Sequence, residues 1–63
     1  MTPDQIRDTR RALGVTQSQF AALLGVSMQS VAAWEQGTRP ISRLVANAVQ
    51  NVVKSNQLEN TKP

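Results

Sequence analysis

The sequence predicts an all-α fold, a compact bundle of four short helices, and three observations predict it. Glycines at positions 14, 25 and 37 each close a stretch whose apolar residues recur at helical spacing. Each of those stretches opens on a hydroxyl side chain, Thr2, Thr16 or Ser27, of the kind that satisfies the free amides of a helix start. No stretch alternates apolar and polar residues with the period of two that a half-buried strand requires. The expected helices cover about 3–13, 17–24, 28–36 and 41–54, forming one domain over 1–54 ahead of a polar, unpatterned and disordered tail over 55–63.

The first helix has a complete set of start signals. Thr2 caps it, Pro3 takes the first helical position, Asp4 suits the positive end of the helix dipole, and Gln5 completes a capping box. Ile6, Arg10 and Leu13 share one stripe, while Asp4 with Arg7 and Asp8 with Arg11 are outward pairs three residues apart. An arginine on an inward stripe is costly unless it is paired. Asp4 and Asp8 point elsewhere and Glu59 lies in the tail, so Glu35 is the expected partner of Arg10 in a structural ion pair. The competing reading takes the Arg10 guanidinium to solvent or to a phosphate.

The second and third helices lie within Thr16 to Gly37, read TQSQFAALLGVSMQSVAAWEQG. Thr16 and Gln19 form a second capping box, Phe20, Ala21 and Leu24 face inward, and Gly25 ends the helix. After Val26 the chain restarts at Ser27, and Val31 and Trp34 turn inward about one helical turn apart. Two helices joined by a turn of three to four residues containing glycine form a helix-turn-helix.

Ala21, Gly25, Val31 and Trp34, with Gln17 before them and Trp34-Glu35-Gln36-Gly37 at the end, resemble the phage repressor and Cro type of helix-turn-helix. The similarity extends from about Thr2 to Val53. It implies a lambda-repressor-like DNA-binding domain in which residues 28–36 form the recognition helix. It also implies an Arg10–Glu35 pair between the first and third helices, and a phosphate contact for Gln17. Met28 stands where relatives often carry a polar residue and so doubles as a packing candidate, and Ala33 replaces a longer reader.

Charge agrees with such a partner. Seven Lys+Arg against four Asp+Glu leave a net charge of +3, and five of the cations are arginines, at 7, 10, 11, 39 and 43. The outer face of the recognition helix, by contrast, is uncharged. A merely solvated face more often carries lysine and glutamate, whereas a face that enters a DNA groove needs clearance and hydrogen-bonding tips. Met28, Gln29, Ala32 and Ala33 are the expected base contacts, with Gln29 suited to adenine and the apolar three to thymine methyls. Gln17, Ser27, Gln36, Thr38, Arg39 and Arg43 are the expected backbone contacts.

The last helix carries two neighbouring apolar stripes. Leu44, Ala48 and Val52 suffice to close a small core, leaving Val45, Val49 and Val53 either as a homodimer interface or as one edge of a wide buried face. A two-fold dimer would set two recognition helices ~34 Å apart, one turn of duplex. Typical relatives carry a fifth helix where this chain has almost no room for one.

The chain contains no cysteine and no histidine. Disulfides and a Cys/His metal site are therefore excluded, no nucleophile-and-base constellation is present, and neither enzyme activity nor a cofactor is expected. There is no signal-peptide pattern and no apolar run of the ~18 residues a membrane span needs. The expectation is a cytoplasmic, nucleoid-associated protein of bacterial or phage origin, binding a palindromic double-stranded DNA operator as a homodimeric repressor that occludes polymerase. The alternative is a helical protein-interaction module, such as an antitoxin-like partner binder.

Overall fold

The computed structural model describes the backbone of residues 1–60 and the side chains of residues 1–55. Four helices follow in order: α1 (Pro3–Leu13), α2 (Gln17–Leu24), α3 (Met28–Gln36) and α4 (Arg43–Asn60). All described regular structure is helical, and no described helix is long and apolar enough to cross a membrane.

Local chemistry sets the first three helices. The Thr2 hydroxyl accepts from the Gln5 amide at 3.1 Å while the Gln5 side chain accepts from the Thr2 amide at 2.9 Å. Thr16 and Gln19 repeat that box with the same two distances. Ser27 caps α3 by accepting from the Ser30 amide at 3.2 Å. At the other end of α2, Gly25 has φ of 75°, a left-handed conformation that a Cβ would strain. That turn lets the Gly25 and Val26 amides donate back to Ala22 and Ala21. The chain turns within the three residues between the helices, and α3 packs against α2.

Ile6, Phe20, Ala21, Val31, Trp34 and Val49 form the buried core, one or two residues from each helix, with Leu13, Val15, Leu24, Ile41, Val45 and Val52 packed around it. The last helix faces the core differently from expectation. Val49 is fully buried, so it belongs to the core and has no surface for a partner, whereas Leu44, expected inside, is 81% exposed. Val45 and Val53 are half-buried. The two stripes lie only ~100° apart on the helix, and the inward side is a wide face that takes Val45 and Val49 from one and Val52 from the other, the alternative the sequence left open. The preceding residues set where that face is centred. Ile41 packs against the core before the helix begins, and Ser42 caps the start by accepting from the Val45 amide at 3.3 Å. That entry turns Val45, Val49 and Val52 inward.

The same cap moves the start of α4 from the expected 41 to Arg43. Its end also lies beyond the expected 54, at Asn60. No glycine or proline interrupts residues 54–60, and extending an established helix adds about one hydrogen bond per residue fixed. The rest of the expected tail, 61–63, lies outside the described residues.

Candidate nucleic-acid interface

The candidate surface lies on α3, which is positioned by a buried ionic cluster on its inner side. Glu35, in the last turn of α3, has a side chain only 4% exposed. Arg10 of α1 grips it with one edge of its guanidinium, Nε donating to Oε2 at 2.7 Å and Nη2 to Oε1 at 3.2 Å. The remaining nitrogen, Nη1, donates to the Val15 carbonyl at 3.1 Å, tying down the loop between α1 and α2. The structure thus brings Arg10 and Glu35 together across 25 residues of chain.

Two further members were not foreseen in these positions. Arg7 Nη2 donates to the Glu35 backbone carbonyl at 2.9 Å, satisfying one of the acceptors that a helix leaves free in its last turn. Its contact with Asp4 is looser, at 3.8 Å. Gln17 Nε2 donates to Glu35 Oε1 at 3.2 Å, so the first residue of α2 joins the cluster. A signal for Arg7 existed in the sequence, since it lies three residues from Arg10 on one helix face. Nothing local marked Gln17 for Glu35, because the crossing of α2 and α3 creates that contact. Gln17 is half-buried and retains a second N–H and its carbonyl for an external group.

Burial by itself would push the Glu35 carboxyl up. The hydrogen bonds from Arg10 and Gln17, with the charges of Arg10 and Arg7, outweigh it and hold the carboxyl below its ordinary value. A depressed carboxylate contributes stability that is present above its unfolded pKa, about 4.3, and is lost as pH falls through the folded value. The urea midpoint is therefore expected to begin falling as pH drops through about 4.3 and to go on falling below it. In Glu35→Gln, which starts less stable, the decline should be shallower. Equal slopes in the two proteins would show that other carboxylates carry the acid sensitivity.

On the opposite side of α3, Met28, Gln29 and Gln36 are exposed, while Ala32 and Ala33 are half-buried between them. The five therefore share the free face of the helix. Ser27 is engaged locally, its hydroxyl capping α3 and lying 3.1 Å from that of Ser30. Thr38, just past the end of α3, donates through its amide and hydroxyl to the Ala33 carbonyl, at 3.0 and 3.3 Å.

Arg39 returns along the helix, its Nη1 donating to the Ser30 hydroxyl at 3.1 Å. This link spans nine residues of chain and is visible only once the loop is folded. Arg43 is exposed at the first position of α4 and pairs with no acid among the described residues. A cation there faces the positive end of a helix dipole, which disfavours it by ~0.3–1 kcal/mol. An external anion would reverse that sign.

The geometry therefore presents an uncharged helix face of small and amide side chains, with hydroxyls at both ends of α3, Arg39 tethered to Ser30 and Arg43 exposed at the start of α4, on three helices locked by one buried carboxylate. A helix-turn-helix family model matches residues 6–52. No match was found among curated proteins or among solved structures.

Proposed function

The chain belongs to the Cro/C1-type helix-turn-helix family of DNA-binding regulators, and on that premise we propose that it is a small transcriptional repressor that binds a palindromic operator as a homodimer. The observation that carries this reading is the uncharged outer face of α3, with Arg39 tethered to Ser30 on the same helix and Arg43 exposed at the start of α4, in no ion pair among the described residues. Phosphates line both edges of a major groove, and base edges lie between them. Gln29 reads a base through its amide, while Met28, Ala32 and Ala33 lie against apolar base edges. Gln17, Ser27, Gln36, Thr38, Arg39 and Arg43 hold the backbone. Repression follows from occlusion of polymerase in the cytoplasm.

For the dimer, the revised orientation of α4 supports a contact through Leu44, which is 81% exposed, with the half-buried Val45 beside it. Val53 is also half-buried and takes part at the edge. The competing reading, a protein-interaction module, is favoured by Leu23 and Val26, which are exposed near the end of α2 at 54% and 36%.

Selection of bound sequences from a random duplex DNA pool at near-physiological salt tests the proposal. An enriched palindrome supports a dimeric operator binder, and a single enriched half-site keeps the DNA reading but removes the dimer. No enrichment by a folded protein turns the argument to a protein partner. On the selected site, Gln29→Ala is expected to weaken binding by about 1–3 kcal/mol while leaving non-specific affinity unchanged. An equal loss on every sequence would reassign Gln29 to the backbone.

A further inference from the structure

The free face of α3 is unusual in what it cannot do. Met28 is 52% exposed at its amino end, and Ala32 and Ala33 follow about one turn later. None of the three donates a hydrogen bond, and Met28 sulfur accepts only weakly. The helix, MQSVAAWEQ, contains no arginine or lysine, the residues that read guanine through two hydrogen bonds. Where these three side chains meet the groove, the base feature available to them is an apolar group. In the major groove that group is the methyl on pyrimidine C5.

Thymine and 5-methylcytosine carry this methyl on the same ring carbon. They differ at C4, where one has a carbonyl and the other an amino group. A methionine or alanine side chain has no means of telling those apart, whereas the methyl fills space against it. We infer that the α3 face reads pyrimidine C5 methylation, so that cytosine methylation inside the site strengthens binding. This inference rests on the DNA-reading role proposed above. It makes Met28 a specificity-determining residue and makes a base-modified duplex the preferred ligand wherever cytosine stands opposite it. The polarisable, unbranched Met28 side chain suits the task, since it adapts to a methyl without a fixed shape of its own.

The test uses the full chain and the duplex selected from the random pool. At each thymine in turn, deoxyuridine is substituted, which removes the methyl and nothing else. At the same positions, cytosine and 5-methylcytosine are compared, each paired with guanine, so that again only the methyl differs. Burying one such carbon changes affinity by about fourfold. The expected result is a weakening of that size for deoxyuridine at one or more positions, with the same ratio between 5-methylcytosine and cytosine there.

Met28→Ala is expected to bring the ratio towards one at the position it faces, and Met28→Leu to restore it. Because Met28 lies outside the core, thermal melts of both variants should match the parent. Equal binding of thymine and deoxyuridine duplexes at every position would overturn the inference while leaving sequence-specific binding intact. Ratios unchanged in Met28→Ala would also overturn it. A folded protein that enriches no sequence at all would remove the DNA-reading role, and this inference with it.

Discussion

Replacing Arg10 with alanine is expected to remove about a third or more of the domain's stability. The substitution strands Glu35, whose side chain is 4% exposed, without the guanidinium that holds both its oxygens. Breaking one side of a buried pair costs about 3–5 kcal/mol. Arg10 itself is 17% exposed, and Arg7 and Gln17 still approach Glu35, so the lower end of that range applies. A chain of 63 residues has a total stability of roughly 3–9 kcal/mol. The loss is therefore between about a third and all of what keeps the domain folded.

Urea denaturation followed by circular dichroism measures the effect, with an expected fall in midpoint of about 1–3 M. The double variant Arg10→Met, Glu35→Leu separates two explanations. If the loss comes from the uncompensated carboxylate, removing that carboxylate should recover most of the stability. If Arg10→Ala melts like the parent, the ionic cluster does not hold the helices together.

Phe20→Ala is expected to be as damaging by a different route. Phe20 is fully buried in the centre of the core, and truncating such a ring costs about 3–5 kcal/mol in lost transfer energy and an unfilled cavity. The single tryptophan, Trp34, is 5% exposed in the same cluster, so its fluorescence reports the transition directly. Leu23→Ala on the same helix is the control. Leu23 is 54% exposed, and its loss should cost less than about 1 kcal/mol. Similar costs at the two positions would mean that α2 turns a different face to the core. In Phe20→Ala, DNA affinity should fall with the folded fraction, because α3 is held in place only while the core exists.

The helix starts and stops were legible in the sequence because their causes are local. A threonine and a glutamine three residues apart satisfy each other's amides at a helix start, and Gly25 in its left-handed conformation ends α2 whatever surrounds it. The inward set of the first three helices, Ile6, Phe20, Ala21, Val31 and Trp34, was legible for a related reason: within each of those helices one apolar stripe is clear. The helix-turn-helix family followed from residues at fixed spacing inside a single stretch.

The last helix was different. Its sequence offers two apolar stripes ~100° apart, and neither stripe by itself fixes which residues of each turn inward. The choice was made by the docking of Ile41 and the cap from Ser42, which turned Val49 inward and left Leu44 outside. Its length was hidden too, since polar residues without glycine or proline neither demand a helix nor stop one.

The free face of α3, Met28, Gln29, Ala32, Ala33 and Gln36, could be placed from helical angles alone. What surrounds it could not. The Glu35 cluster draws Arg7 and Arg10 from one helix and Gln17 from another, and Arg39 reaches back to Ser30 across a loop. Sequence determined the helices, their caps and the family, because those depend on neighbours within a few residues. Tertiary structure decided which way α4 turns and which polar groups meet at Glu35, because only the crossing of helices brings distant side chains within hydrogen-bonding reach.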